Sequence, residues 1–130
     1  MQEVYDFIKG ANVYFLATID NNKPRVRPFG SINIFEGKLY IETSKLKNVA
    51  KQIEQNPYVE ISALNGDNWL RLSGKLVKDE SIEAKKSMFD NNPVLKKFYK
   101  VDDDKTCVFY FTEVDALVYS FKEQPKKINF

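Results

Sequence analysis

Over residues 13–19, Val13, Phe15, Ala17 and Ile19 alternate with Tyr14, Leu16 and Thr18 with a period of two. That is the spacing of a β-strand. Before it, Val4, Phe7 and Ile8 fall on one face of a short helix over 2–9 that would pack on a sheet. Asp20-Asn21-Asn22-Lys23 reads as a turn, and a strand is expected from about 25 to 35 with Pro28 inside it. Proline cannot donate to a ladder, so Pro28 marks an edge, a bulge or a backbone that faces a ligand. Glu36-Gly37 turns the chain into a strand over 39–43.

The next apolar spacing is helical. Val49, Ala50 and Ile53 make an amphipathic run over 44–55, with Ser44 as its N-cap and Asn56-Pro57 as its stop. Strands follow over 58–64 and 69–78, joined through Asn65-Gly66-Asp67-Asn68. Two short helices are expected next. One covers 81–89; the other has Asn92 as cap and Pro93 as first residue, with Val94, Leu95 and Phe98 turned inward. Val101-Asp102-Asp103-Asp104-Lys105 is a loop that lacks the alternating carboxylates, the glycine and the closing glutamate of a calcium loop. Residues 106–112 and 116–121 are the last strands, and 122–130 is read as a tail. The chain shows no internal repeat and no low-complexity linker. A single domain over 1–130 is expected, an antiparallel barrel or strongly coiled sheet with short helices at its ends.

Composition narrows the chemistry. Twenty Lys and Arg stand against 18 Asp and Glu, a formal net charge of +2, so no field favours nucleic acid. A single-stranded nucleic-acid-binding barrel would also need exposed aromatics interleaved with a basic groove. Tyr5, Tyr14, Phe15, Phe109, Tyr110, Phe111 and Phe121 are read instead as barrel core. The chain has no histidine, which removes the commonest general base, the commonest metal ligand and every Ser-His-Asp or Cys-His arrangement. Cys107 is the sole cysteine, within an apolar run, and is expected to be a buried inert thiol. No metal site is expected. The first ten residues lack a secretory pattern and no apolar run reaches the ~20 residues of a membrane span, so a cytoplasmic protein without membrane contact is expected.

One helix start departs from the usual electrostatics. With Ser44 as cap, the third helical position is Lys47, beside Asn48, where a capping box would place Glu or Gln. A cation there opposes the helix dipole by roughly 0.3–1 kcal/mol unless an anion is bound. Free N–H groups, the Thr43 and Ser44 hydroxyls and the Lys47 ammonium together make a candidate phosphate cradle. The alternative is a solvated lysine in an ordinary first turn. Arg25 and Arg27 share a strand face, either as a basic wall for an anionic ligand or as solvated residues paired with Glu36 or Glu42. Trp69 opens a strand after a tight turn and is either a core or interface plug or a ligand contact. Aromatics on both faces of 107–111 leave apolar area that one small barrel cannot bury on one side, and a homodimer is expected.

In order and spacing, the segments Pro24-Arg25-Val26-Arg27-Pro28-Phe29-Gly30, Leu39-Tyr40-Ile41-Glu42-Thr43-Ser44 with Lys47, 53–61 and Trp69-Leu70-Arg71-Leu72-Ser73-Gly74 resemble the pyridoxamine 5'-phosphate oxidase-like family of FMN-binding split β-barrels. The likeness runs over about residues 2–121 and is strongest toward the small general stress and nitroimidazole-resistance-type branch. It implies a mainly β, six-stranded antiparallel split barrel capped by short helices. It also implies a homodimer with FMN between the subunits. In that resemblance Arg25, Arg27, Pro28, Phe29 and Gly30 lie along the flavin, and Thr43, Ser44 and Lys47, with Asn48, hold its phosphate. Trp69 and Arg71 approach the flavin from a facing strand or from the partner. The implied activity is an oxidoreductase that reduces a small-molecule electrophile through flavin N5. A flavin-binding stress or storage protein without turnover is the alternative. The tail Lys126-Lys127-Ile128-Asn129-Phe130 has neither the arginine nor the histidine of the vitamin oxidases. Pyridoxamine 5'-phosphate oxidation is therefore not expected. The nitroimidazole-resistance relatives carry a histidine near the flavin, and it too is absent.

Overall fold

The computed structural model describes residues 1–130. Its strands are β1 (Tyr14–Asp20), β2 (Lys23–Phe29), β3 (Asn33–Phe35), β4 (Lys38–Ser44), β5 (Tyr58–Asn65), β6 (Asn68–Asp79), β7 (Thr106–Tyr119) and β8 (Lys126–Ile128). Helices α1 (Gln2–Ala11), α2 (Asn48–Gln55) and α3 (Ile82–Asn91) and a 3-10 turn, η1 (Pro93–Lys97), complete it. The strands form one antiparallel sheet in the order β2-β1-β5-β6-β7-β4-β3, with β8 added on β7. The sheet coils around a core without closing, in keeping with a split barrel. Eight strands stand where six were expected.

Turn chemistry sets the registers. Asn21 and Asn22 have φ of 49° and 65°, and Glu36 and Gly37 have φ of 48° and 73°. Both pairs lie in the left-handed region that tight hairpins require. With Asp20 opposite Lys23 and Phe35 opposite Lys38, alternation then decides which side chains meet the core. Tyr14 and Leu16 go inward and are fully buried, so Phe15, their neighbour in a period-two strand, goes outward and is 49% exposed. Phe15 is thus not a core residue, nor is the exposed Phe121. Tyr14, Phe109 and Phe111 are core, and Tyr5 and Tyr110 are partly buried.

Four further expectations are revised. The strand expected over 25–35 breaks at 30–32: β2 is the edge strand paired to β1, and β3 pairs with β4 at the opposite edge. Pro28 therefore sits on an edge, where its missing donor is harmless. The two last strands are one, β7, which bends through a bulge. Register shifts between Ser73 and Lys75, and Glu113, on the opposing strand, has φ of 53°. The tail is not structureless, since β8 pairs Ile128 with Ala116 and buries it. Helix α2 begins at Asn48 with Lys47 as N-cap, not at Ser44, whose hydroxyl accepts from the Leu46 N–H at 3.2 Å. The chain turns at Ser44 before the helix can start.

The apolar surplus of β7 is covered internally: α3 packs Ala84, Met88 and Phe89 on Tyr40 and Val108. The unpartnered apolar face lies elsewhere, on the outer side of β2, β1 and β5, where Val26 is 67% and Leu64 66% exposed beside Phe15 and Ile19.

At the bulge, a Cβ on Gly74 would stand 3.0 Å from the Thr112 carbonyl oxygen and 3.1 Å from the Phe111 ring. The oxygen belongs to the β6–β7 ladder and cannot retreat cheaply. Gly74→Val should therefore destabilise the protein by about 1–3 kcal/mol in urea unfolding, with Gly74→Ala at or below the low end of that range; an unchanged midpoint for the valine variant would refute this account of the bulge.

Candidate functional site

The break between β2 and β3 opens a groove of about 720 Å³, within the usual size of a ligand pocket. One wall is the end of β2 and the segment after it, Arg27 to Ser31. The floor is the end of β4, Glu42 to Ser44, with Lys47 and Val49 at the start of α2. The far wall is η1 and its flank, where Val94, Leu95, Phe98 and Tyr99 face the space. Val94 and Phe98 were expected to turn inward; they are 55% and 72% exposed and form this wall instead. Asn92 explains the placement. Its amide is not a cap acceptor: Nδ2 donates to the Ile32 carbonyl at 3.0 Å and to the Met88 carbonyl at 3.1 Å. Asn91 donates to Asn33 Oδ1 at 2.9 Å. These bonds tie the end of α3 to the segment between β2 and β3.

Arg27 fixes the near wall. Its guanidinium donates to the Leu16 carbonyl at 3.0 Å, to Thr18 Oγ1 at 2.8 Å and to Gln52 Oε1 at 2.6 Å. Thr18 in turn donates to Gln52 Oε1 at 2.6 Å. Burial pulls the Arg27 pKa down from its ordinary value, though arginine stays charged. Tyr14 donates to the Ser31 carbonyl at 2.6 Å, and its ring packs on Phe29 with centroids 5.8 Å apart.

The anion-binding character is local. Lys47 is exposed and enters no salt bridge. No acidic residue lies in the first turn of α2, whose leading N–H groups have no intrahelical partner. Thr43, 3% exposed, carries a buried hydroxyl with no hydrogen-bond partner. That hydroxyl lies on the same side of β4 as Cys107 and the main core, behind the groove floor. The structure thus brings Arg27, Pro28, Phe29, Gly30, Thr43, Ser44 and Lys47 to one groove. Arg25, Asn48, Trp69 and Arg71 lie outside its lining. Arg25 pairs with Asp20 at 3.3 Å, not with Glu36 or Glu42, and Asn48 is exposed at the helix start. Trp69 stacks on Tyr119 with centroids 5.5 Å apart, and Arg71 pairs with Glu60 at 3.1 Å.

Sequence reasoning overlooked Glu42. It is 6% exposed, lines the floor, and has its pKa pushed up to about 7 by burial, against the opposing pull of Lys47 and a hydrogen bond with Ser31. The signal was present as a carboxylate between Ile41 and Thr43 in a strand whose alternate positions are apolar. Cys107 is buried as expected, and burial raises its pKa to about 11.

Residues 1–113 match the family model described as pyridoxamine 5'-phosphate oxidase. The chain belongs to this family. Among solved structures, a NimC/NimA family protein from Clostridium acetobutylicum is similar at 41% identity and a TM-score of 0.95, over 98% of this chain and 90% of that one. General stress protein 26 from Bacillus anthracis is similar at 18% identity and a TM-score of 0.75, over 98% and 97%. A pyridoxamine 5'-phosphate oxidase-related, FMN-binding protein from Nostoc punctiforme is similar at 17% identity and a TM-score of 0.67, over 98% and 96%. At those lower identities the likeness is one of fold. No curated protein matches the chain. No helix is long and apolar enough to cross a membrane. In this pyridoxamine 5'-phosphate oxidase family member, two of the four motif segments, those around Arg27–Gly30 and Thr43–Lys47, meet at the groove.

Glu42 carries a stability consequence. Its folded pKa lies above the ordinary value of 4.5, so the folded state binds the proton more tightly than the unfolded state. Stability is full below the unfolded pKa and declines as pH rises toward 7, by on the order of 3 kcal/mol in all. Glu42→Gln should remove this decline, raising the melting temperature at pH 8 by several degrees and leaving it nearly unchanged at pH 4.5. Equal shifts at both pH values would show that the carboxyl is not strained by burial.

Proposed function

We propose that the groove holds FMN as a resident cofactor and that the protein is an oxidoreductase reducing a small electrophile. The observation that carries this reading is the convergence of an unpaired ammonium, Lys47, the Ser44 hydroxyl at the end of β4 and a helix start without acid on one groove. A phosphomonoester satisfies all three with charge-assisted hydrogen bonds. Family membership and the FMN-binding relative from Nostoc punctiforme lend support.

The rest of the groove suits a flat, polar-edged ring. Edge strand β2 has backbone groups that no neighbouring strand occupies, and Arg27, Pro28, Phe29 and Gly30 bring that edge to the groove. They would orient the ring and hydrogen-bond its heteroatoms. Phe29, Leu95, Phe98 and Tyr99 exclude water from its faces. When bound, FMN supplies the hydride and electron transfer itself. With Arg27 committed to Thr18 and Gln52, its role is to hold the wall and keep positive potential there, and Lys47 is the direct anion ligand.

The same reading includes a homodimer. A single chain leaves Phe15, Ile19, Val26 and Leu64 exposed on one sheet face, the kind of apolar surface that marks an interaction site. Pairing with a second copy buries it and supplies Trp69 and Arg71 to a neighbouring groove.

Two measurements test the proposal. Titration calorimetry should show FMN binding, and Lys47→Ala should weaken FMN by about 1.5–3 kcal/mol more than riboflavin, which lacks the phosphate; no binding by the folded protein would refute the cofactor, and equal losses would refute the role of Lys47. Analytical ultracentrifugation should return twice the 15.1 kDa chain mass at micromolar concentration with FMN present; a monomer under those conditions would refute the dimer.

A further inference from the structure

Glu42 stands where a phosphate-binding groove has least use for an anion. It lies one residue before Thr43 on the floor of the groove, almost wholly buried, with Lys47 as its electrostatic partner. Tyr14 on β1 and Cys107 on β7 also feel its charge, and Arg27 on β2 and Tyr99 after η1 are the remaining titratable or charged groups that line the groove. Of these only Lys47 and Arg27 are cationic, and Arg27 already donates to three acceptors. Lys47 is thus the one cation free to answer either Glu42 or an incoming phosphate. A phosphate beside Lys47 would put a second anion next to the buried Glu42 carboxyl, and like charges raise each other's proton affinity.

Resting on the FMN reading above, we propose that Glu42 is the specificity-determining carboxyl of this groove: it takes up a proton when a phosphomonoester settles beside Lys47, and then donates a hydrogen bond to an oxygen of the ligand's phosphorylated polyol arm. The proton comes from solvent and stays on the carboxyl, and no bond of the ligand is broken. A non-phosphorylated flavin leaves Lys47 to Glu42, so it binds with little proton uptake. In the free protein the carboxyl titrates near neutral pH, as its pKa of about 7 indicates. Linkage then fixes the sign. FMN affinity is flat with respect to Glu42 below about pH 7 and falls above it, approaching tenfold per pH unit while one proton is taken up. The second ionisation of the phosphate, near pH 6, acts in the opposite direction, because the dianion binds better. A fall in affinity above neutrality therefore does not come from the phosphate, and riboflavin, which shares the flavin ring, controls for any ring ionisation.

Calorimetry of the full chain with FMN and with riboflavin, each at pH 7.5 in two buffers of different ionisation enthalpy, reads the proton count directly. The expected result is uptake of a substantial fraction of a proton with FMN and markedly less with riboflavin. In Glu42→Gln, which keeps the size and a donor, the FMN uptake should vanish, and affinity at pH 8.5 should match or exceed that of the wild type. FMN binding with no proton uptake in the wild type, or with uptake retained in Glu42→Gln, would overturn this inference and leave the cofactor reading standing. Absence of FMN binding at every pH would overturn both. The wild-type proton count does not depend on the variant folding.

Discussion

The half-buried guanidinium of Arg27 is the constraint on which the groove depends. Edge strand β2 is hydrogen-bonded on one side only, and without further support its end would fray. Arg27 joins it to two other elements at once, to β1 through the Leu16 carbonyl and Thr18, and to α2 through Gln52. The helix that carries Lys47 and the strand that carries Phe29 are thereby fixed relative to each other. A lysine could not do this, because one ammonium cannot span three acceptors in a plane. The charge is tolerated because every acceptor it meets is a polar oxygen already in place, and Thr18 and Gln52 are themselves bonded to each other.

From that clamp the groove follows by topology. The chain leaves one edge of the sheet at Phe29 and joins the opposite edge at Asn33, so the intervening residues cross open space with no ladder to satisfy their backbone. Side chains do the work instead. Asn92 answers the Ile32 carbonyl and Tyr14 answers the Ser31 carbonyl. These bonds hold the crossing segment and set the far wall against it. The apolar side chains of η1 stay uncovered as a result, and they give the groove its hydrophobic side.

Much of this was legible in the sequence, and the failures have identifiable causes. The hairpin turns were readable because Asn-Asn and Glu-Gly at those positions answer a backbone need. The cluster of Thr43, Ser44 and Lys47 was readable because a basic helix start is an electrostatic anomaly. The exact helix start was not, since Ser44 prefers its own turn, capping Leu46 in place of the helix. The break after Phe29 left no trace, because residues 30–35 keep a strand-like pattern while changing partners, and partners are non-local. Phe15 and Leu16 are equally apolar, and only register tells which one faces the core. Trp69 and Arg71 were grouped with the site by motif order, yet they sit on the outer surface of one chain.

Glu42 shows why a buried charge is the harder feature to read. In sequence it is one carboxylate among many, and its neighbours Ile41 and Thr43 suggest an ordinary strand. Its position on β4 places it opposite Val108 of β7, on the face where α3 packs Ala84, Met88 and Phe89 against Tyr40 and Val108. Such a site selects against a permanent charge unless something in the protein's working state offsets it. Lys47 supplies part of the offset, and the pull is incomplete, since burial still dominates. Near neutral pH and above, where the carboxyl would otherwise ionise, replacement by glutamine would stabilise the free protein; a ligand that protonates the carboxyl removes the same strain. The floor of the groove is therefore strained for folding and suited to a ligand that changes its protonation.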